Sequence, residues 1–140
     1  MKEFTLRKNQ NLGNVNIGKQ YMVKFDIFFE KMGEFSGTPS WKSLLHLTAS
    51  GNNAEAVGDR IPSVFLNNEK KLHIGVDLNG KVNHLFESKQ LEEKRWYTLE
   101  LSQKLMEDGT VDSQIKLKCG DTKEKHHLEI DKTALAKIKL

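Results

Sequence analysis

Apolar and polar residues alternate along most of this chain, which is the pattern of β-strands whose two faces meet different surroundings. The clearest run covers residues 71–78, where Leu72, Ile74 and Val76 alternate with polar or small residues. Residues 21–29 show the same two-residue period, with aromatic and aliphatic side chains at every second position. No segment shows a clear helical period, so the sequence predicts an all-β protein.

Turn-forming residues separate the segments that have strand character. These segments cover residues 3–8, 21–29, 41–48, 61–66, 71–78, 82–87, 95–105, 114–119 and 126–130. Asn79-Gly80 is the strongest hairpin signal in the chain, and Asp108-Gly109 is a second turn signal. About ten short strands without a helix are typical of an antiparallel two-sheet β-sandwich, in which one face of each sheet packs on the other. Residues 41–48 are apolar on both faces, which predicts a central strand.

Length and composition predict a single sandwich domain over residues 1–140. Apolar and polar residues still alternate at the end of the sequence, so we expect this domain to be excised from a longer chain. The net charge of +3 comes from interleaved acidic and basic residues, so we expect no nucleic-acid partner. No apolar run approaches the roughly 18 residues of a membrane span, so we expect no membrane insertion. Cys119 is the only cysteine, in phase with apolar neighbours, and is expected to be buried.

Five segments in order carry a resemblance to a known family. They read YMVKFDIFF, WKSLLHLT, GDRIPSVFL, KLHIGVDLNG and RWYTLELSQ, within residues 21–117. This order resembles the concanavalin A-like jelly roll, and within it the lectin-like and laminin-G-like modules of animal extracellular proteins, closest to those of invertebrates. The resemblance implies an extracellular sandwich used for recognition, often of glycans, sometimes of proteins, and occasionally with Ca²⁺. An extracellular protein would have lost its signal peptide, because the N-terminus lacks an apolar signal core.

Glycan recognition needs an aromatic platform with polar neighbours. Trp96 is out of phase with the core positions of its strand, and His73 also has a non-core phase. Binding is therefore expected on a polar sheet face or on the 52–60 loop, with His73 on the same face as Trp96. The candidate ligand-binding residues are Asn53, Asp59, Arg60, His73 and Trp96. The alternative is that tryptophans, including Trp41 and Trp96, pack in the core or seal its edge.

The 52–60 loop also contains the candidate Ca²⁺ ligands. Asn52, Glu55 and Asp59 carry oxygens of the kind that Ca²⁺ prefers. Asn and Asp are equally ordinary turn formers, and Asp59 beside Arg60 suits a structural ion pair. The loop therefore has two interpretations, a Ca²⁺ site or a turn stabilised by an ion pair between Asp59 and Arg60.

Two other function classes remain open. A protein–protein adhesion or assembly module would expose an apolar patch, for which Phe28 and Met32 are the candidates. A glycoside hydrolase would use carboxylates on one strand face, and Glu129 and Asp131 come nearest to such a pair. The third carboxylate of that arrangement is replaced by Ala134, so the sequence predicts a non-enzymatic module.

Overall fold

The structure is a computed structural model that describes residues 14, 20–34, 41–48, 60–78, 81–109, 111–120 and 122–130. Within these residues the chain forms eight β-strands and no helix. The strands are β1 (Tyr21–Phe28), β2 (Trp41–His46), β3 (Ser63–Asn67), β4 (Lys71–Leu78), β5 (Lys81–Gln90), β6 (Trp96–Leu105), β7 (Val111–Cys119) and β8 (Thr122–Ile130). Each agrees with a strand expected from alternation, and the strand expected at residues 3–8 lies outside the described residues.

The strands form two antiparallel sheets of four. The first sheet has the order β1-β6-β7-β8, and the second sheet has the order β2-β3-β4-β5. The all-β, two-sheet prediction is therefore confirmed. A jelly roll is built from two Greek keys, whereas the second sheet here joins strands that follow one another in sequence. The jelly-roll connectivity is not confirmed by this order.

The core lies between the inner faces of the two sheets. On β6, Tyr97, Leu99 and Leu101 are at most 5% exposed, while the residues between them meet solvent more freely. They join one apolar cluster with residues of the second sheet. That cluster contains Ile27, Phe29, Met32, Val64, Leu66, Leu72, Ile74, Phe86, Leu91, Tyr97, Leu99, Leu101, Ile115 and Leu117. Removing this apolar surface from water is the main stabilisation of the packed sheets.

Strand β2 departs from the predicted pattern because it contains a β-bulge. The register shifts between Ser43 and Leu45, and both Leu44 and Leu45 pack against the core. One extra residue in a strand reverses the phase of the residues that follow it, which explains why both faces of this segment are partly apolar in sequence. Among the described strands, β2 lies at the edge of the second sheet, which does not support the prediction of a central strand.

The segment that follows β1 packs into the core. Met32 is only 2% exposed, so the expectation that it belongs to a surface patch is wrong. Its backbone nitrogen donates to Glu93 Oε1 at 3.0 Å, and its carbonyl accepts from Lys42 Nζ at 2.5 Å. Because Met32 follows β1 and Lys42 lies on β2, the bond from Lys42 links the two sheets, whereas the bond to Glu93, which precedes β6, ties the segment to its own sheet. Cys119 packs against the core, as its phase suggests, but it is half-buried and not fully buried as expected.

Candidate functional site

The structure separates the predicted site residues onto opposite sides of the sandwich. Trp96 lies on β6 of the first sheet, whereas His73 lies on β4 of the second sheet. Each side chain occupies an outward position, because its neighbours Tyr97, Leu72 and Ile74 are in the core. The outer faces of two stacked sheets point in opposite directions. The expectation that His73 and Trp96 share one face is therefore wrong.

The outer face of the second sheet carries aromatic, cationic and acidic side chains together, and we name it the Trp41 face. It is formed by Trp41, His46, Arg60, Phe65, His73 and Glu87. The strand register brings them together. Phe65 on β3 pairs with Ser43 on β2 and with His73 on β4, and His73 in turn pairs with Glu87 on β5. Directly paired residues of antiparallel strands lie on the same face.

Trp41 is the exposed aromatic ring of this face. Its ring centroid lies 4.3 Å from that of His73, with an angle of 64° between the planes. It lies 6.5 Å from the Phe65 ring, at 71°, and both contacts are edge-to-face arrangements that aromatic rings prefer. The residue is 41% exposed, so part of the ring remains accessible to solvent. Of the two alternatives considered for this tryptophan, burial in the core does not hold, whereas a position that seals the edge of the core is not excluded.

Arg60 reaches the Trp41 face from the segment that precedes β3. Two backbone hydrogen bonds fix this segment to the end of β2: Leu47 N donates to Pro62 O at 3.0 Å, and Ile61 N donates to Leu47 O at 2.9 Å. The guanidinium carbon of Arg60 lies 5.4 Å from the centroid of the Phe65 ring. This distance is within the range of a cation–π interaction, which stabilises the charge over the ring.

Glu87 is held in place by the turn between β3 and β4. Asn67 Nδ2 donates to Glu87 Oε2 at 3.2 Å, and Lys71 Nζ lies 3.1 Å from Glu87 Oε1. Asn67 is only 4% exposed, and its Oδ1 accepts from the backbone nitrogens of Glu69 and Lys71 at 3.0 and 2.9 Å. The carboxylate therefore has a fixed orientation beside His73. Hydrogen bonding to Glu69 and Glu87 raises the pKa of Lys71, which keeps this lysine charged.

His73 is neutral at neutral pH. Burial lowers the pKa of its imidazole below 6.5, Arg60 lowers it further, and Glu87 opposes both effects. Its Nδ1 lies 3.8 Å from Glu87 Oε2, which is beyond hydrogen-bond distance. A neutral imidazole has one nitrogen that donates and one that accepts. Because Nδ1 is buried, a ligand would reach His73 only through Nε2, which donates or accepts according to the tautomer.

Trp96 lies on the outer face of the first sheet, which we name the Trp96 face. The residue is 55% exposed, and its ring packs on that of Phe28 with 5.2 Å between the centroids. The prediction that Trp96 points away from the core is confirmed. Thr98 and Glu100 follow at the next outward positions of β6, and Thr98 Oγ1 donates to Asp26 Oδ1 at 2.5 Å.

A shallow groove of about 450 Å³ extends the Trp96 face at the far end of β6. Most of its lining residues are polar in type, but apolar atoms contribute the larger part of the lining surface. The lining residues include Met22, Glu100, Ser102, Asp112, Gln114 and Lys116. Sequence reasoning missed this groove, because the approach of β1, β6 and β7 that forms it follows from sheet order and not from alternation.

Several predicted site residues cannot be placed. Asn52, Asn53, Glu55 and Asp59 lie outside the described residues. The Ca²⁺ site predicted from three of them therefore stays a prediction. Within the described ranges, the side chains form no group of three or more His, Cys, Asp or Glu that suits a metal ion. In the same part of the chain, no helix has the length and apolar character needed to cross a membrane.

Comparison with protein-family models, with curated proteins and with solved structures finds no match to this chain.

Proposed function

We propose that this chain is a non-enzymatic recognition module that binds carbohydrate on the Trp41 face. The observation that carries the proposal is the exposed Trp41 ring beside His73, at 4.3 Å, with Arg60 and Glu87 on the same face. A sugar ring offers an apolar C–H surface on one side and hydroxyl groups around its edge. An aromatic ring flanked by a few fixed polar groups suits both features.

Three residues of the face have direct roles in this proposal. Trp41 stacks on the apolar side of the sugar. Glu87 accepts hydrogen bonds from hydroxyl groups, and its orientation is already fixed by Asn67 and Lys71. Arg60 donates hydrogen bonds to hydroxyl oxygens. A preorganised carboxylate binds more tightly than a mobile one, because less conformational entropy is lost on binding.

The resemblance to concanavalin A-like and laminin-G-like modules extends the proposal. It supports an extracellular location, a jelly-roll connectivity and a glycan as the ligand class. The 52–60 loop ends in sequence at Arg60, so Asn53 and Asp59 are proposed to complete the site from that side. If the site depends on metal, Asn52, Glu55 and Asp59 are the residues proposed to hold a Ca²⁺ ion.

A glycan-array screen of the purified protein tests the proposal, with and without EDTA. Wild-type protein is expected to bind a defined set of glycans. Trp41→Ala should weaken that binding by at least about tenfold, because the lost ring contact is worth on the order of 1.5 kcal/mol. Glu87→Gln should weaken it as well, since an amide nitrogen replaces one acceptor oxygen.

Trp96→Ala is the matched control, because it removes the same kind of ring from the opposite face. Loss of binding in EDTA would assign a metal to the 52–60 loop. Unchanged binding in Trp41→Ala and Glu87→Gln would exclude the Trp41 face. Absence of any glycan binding by the wild type would leave the protein–protein module as the better description.

A further inference from the structure

We propose that the edge of strand β1 pairs with the same edge of a second copy of this chain, in antiparallel orientation about a twofold axis at Phe25. The pairing joins the first sheets of the two copies into one continuous sheet. It uses no residue of the Trp41 face, so it does not depend on the proposed carbohydrate site.

Strand β1 lies at one edge of the first sheet. Among the described strands it pairs only with β6, and the backbone groups on the other side of an edge strand can bind a further strand. Its pairing with β6 runs from Tyr21 to Phe28 without a register shift, whereas β2, at the edge of the second sheet, contains a bulge. A bulge disrupts pairing locally, so the regular edge of β1 is the better site for a second copy.

The outward side chains of β1 form a self-complementary row. The row consists of four exposed residues at alternate positions, Met22, Lys24, Asp26 and Phe28. Antiparallel pairing about Phe25 places Lys24 of one copy opposite Asp26 of the other, and the twofold axis repeats this pair. It also places Met22 opposite Phe28, again twice. Opposite charges and apolar side chains that face each other across two strands stabilise the pairing.

The same charges favour one register over its neighbours. If the partner strand moves by two residues, Lys24 of one copy lies opposite Lys24 of the other, or Asp26 lies opposite Asp26. Like charges directly opposite each other are destabilising. The order of lysine and aspartate therefore favours the register with its axis at Phe25.

The pairing also covers apolar surface that a single copy leaves in water. Met22 is 64% exposed and Phe28 is 39% exposed at the two ends of the row. On the inner side of the strand, Val23 and Phe25 pack against the core but remain half-buried at the sheet edge. Continuing the sheet into a second copy brings the two Phe25 side chains together at the axis, and burying them is favourable.

The two charged side chains of the row are accessible to a second copy. Lys24 Nζ lies 4.0 Å from Glu100 Oε2, and its side chain is 59% exposed. Glu100 has a closer partner in Lys116, at 2.9 Å, so it keeps an ion pair when Lys24 turns to the second copy. Asp26 accepts a hydrogen bond from Thr98 at Oδ1, and its second oxygen can accept from a lysine.

Sedimentation velocity over a range of protein concentrations tests this pairing. The wild type is expected to shift from one chain of 16.0 kDa to a species of twice that mass as the concentration rises. Lys24→Asp and Asp26→Lys each place like charges opposite each other twice in the dimer, so each should weaken it by at least about tenfold. Lys118→Asp, the same charge reversal at an exposed position of β7, is the control and should leave the dimer unchanged.

Two rescues are specific to the proposed register. Combining Lys24→Asp with Asp26→Lys in one chain restores opposite charges across the axis, so the double variant should form the dimer again. Mixing the two single variants should give a mixed dimer, because a row with two carboxylates then meets a row with two lysines.

Circular dichroism and the melting temperature show whether each variant is folded, and Asp26→Lys decides if Lys24→Asp is not. A wild type that stays monomeric at every concentration at which it is soluble would overturn the pairing and leave this edge to a different protein. So would a dimer that both single variants keep, or one that Lys118→Asp weakens as much as they do. Weakening without rescue, in the double variant or in the mixture, would overturn the antiparallel register.

Discussion

At the scale of single residues, His73 occupies surroundings that oppose its charged form. It lies between the Trp41 ring and the Glu87 carboxylate, with its side chain only 16% exposed. The cost of burying an imidazolium outweighs the attraction of Glu87, and Arg60 adds repulsion, so the pKa in the folded protein is below 6.5. The unfolded chain, in which His73 keeps its ordinary pKa, binds the proton more readily.

This difference predicts a pH dependence of stability. The stabilisation from neutral His73 is fully present above about pH 6.5 and is lost as the pH falls from there through the lower pKa of the folded state. We expect His73→Gln to reduce the change in the free energy of unfolding between about pH 7.5 and about pH 5.5. Urea unfolding of wild type and variant at the two pH values measures this change in the free energy of unfolding. His46→Gln, which removes another ring from the same face, is the control. An unchanged pH dependence in His73→Gln would contradict the prediction.

At the scale of elements, the β3–β4 hairpin connects fold and site through one buried amide. Asn67 accepts two backbone hydrogen bonds of the turn and donates one to Glu87. The turn also has Lys70 in the left-handed region, at φ 60°, with Lys70 N donating to Asn67 O at 3.0 Å. The side chain that closes the turn therefore also orients an acceptor of the Trp41 face.

Asn67→Ala is expected to lower the free energy of unfolding by roughly 1–3 kcal/mol, because the partly buried backbone nitrogens of Glu69 and Lys71 lose their acceptor. It should also weaken glycan binding, because Glu87 loses one of the contacts that orient it. Asn68→Ala, at the exposed neighbouring position of the same turn, should change neither quantity appreciably. Urea unfolding and glycan titration of the two variants give the comparison. Equal effects of the two substitutions would exclude the special role of Asn67.

The elements also show how far the sequence predicts this fold. Alternation located β4 and β6 and identified the core side of each, since the period of two is fixed by the strand itself. It did not reveal the bulge between Ser43 and Leu45, which depends on pairing with β3. It also contains no information on which sheet a strand joins. That is why Trp96 and His73 were expected on one face, and why Trp41, Phe65 and Glu87 were not recognised as neighbours.

At the scale of the whole molecule, the two sheets are expected to unfold together. The core cluster takes residues from both sheets, and Leu99 of the first sheet and Leu72 and Ile74 of the second are fully buried in it. The hydrogen bond from Lys42 on β2 to the carbonyl of Met32 after β1 connects the sheets again at the edge. Separating the sheets would expose apolar surface on both, so neither sheet is expected to be stable alone.

The two tryptophans make this cooperativity measurable, because one lies in each sheet. Trp96→Phe leaves Trp41 as the reporter of the second sheet, and Trp41→Phe leaves Trp96 as the reporter of the first. In each variant, the fluorescence transition in urea is expected to coincide with the transition in far-ultraviolet circular dichroism.

Leu99→Ala should lower the free energy of unfolding by about 2–5 kcal/mol, even when Trp41 in the opposite sheet reports it.

Thr98→Ala is the matched control, since it alters the neighbouring outward position of the same strand and should have a much smaller effect. If Leu99→Ala shifts the Trp96 transition and leaves the Trp41 transition in place, the sheets unfold independently. The shared core would then contribute little to cooperativity. If both transitions shift together, the inner faces act as one core, and the Trp41 and Trp96 faces are the two outer sides of a single folding unit.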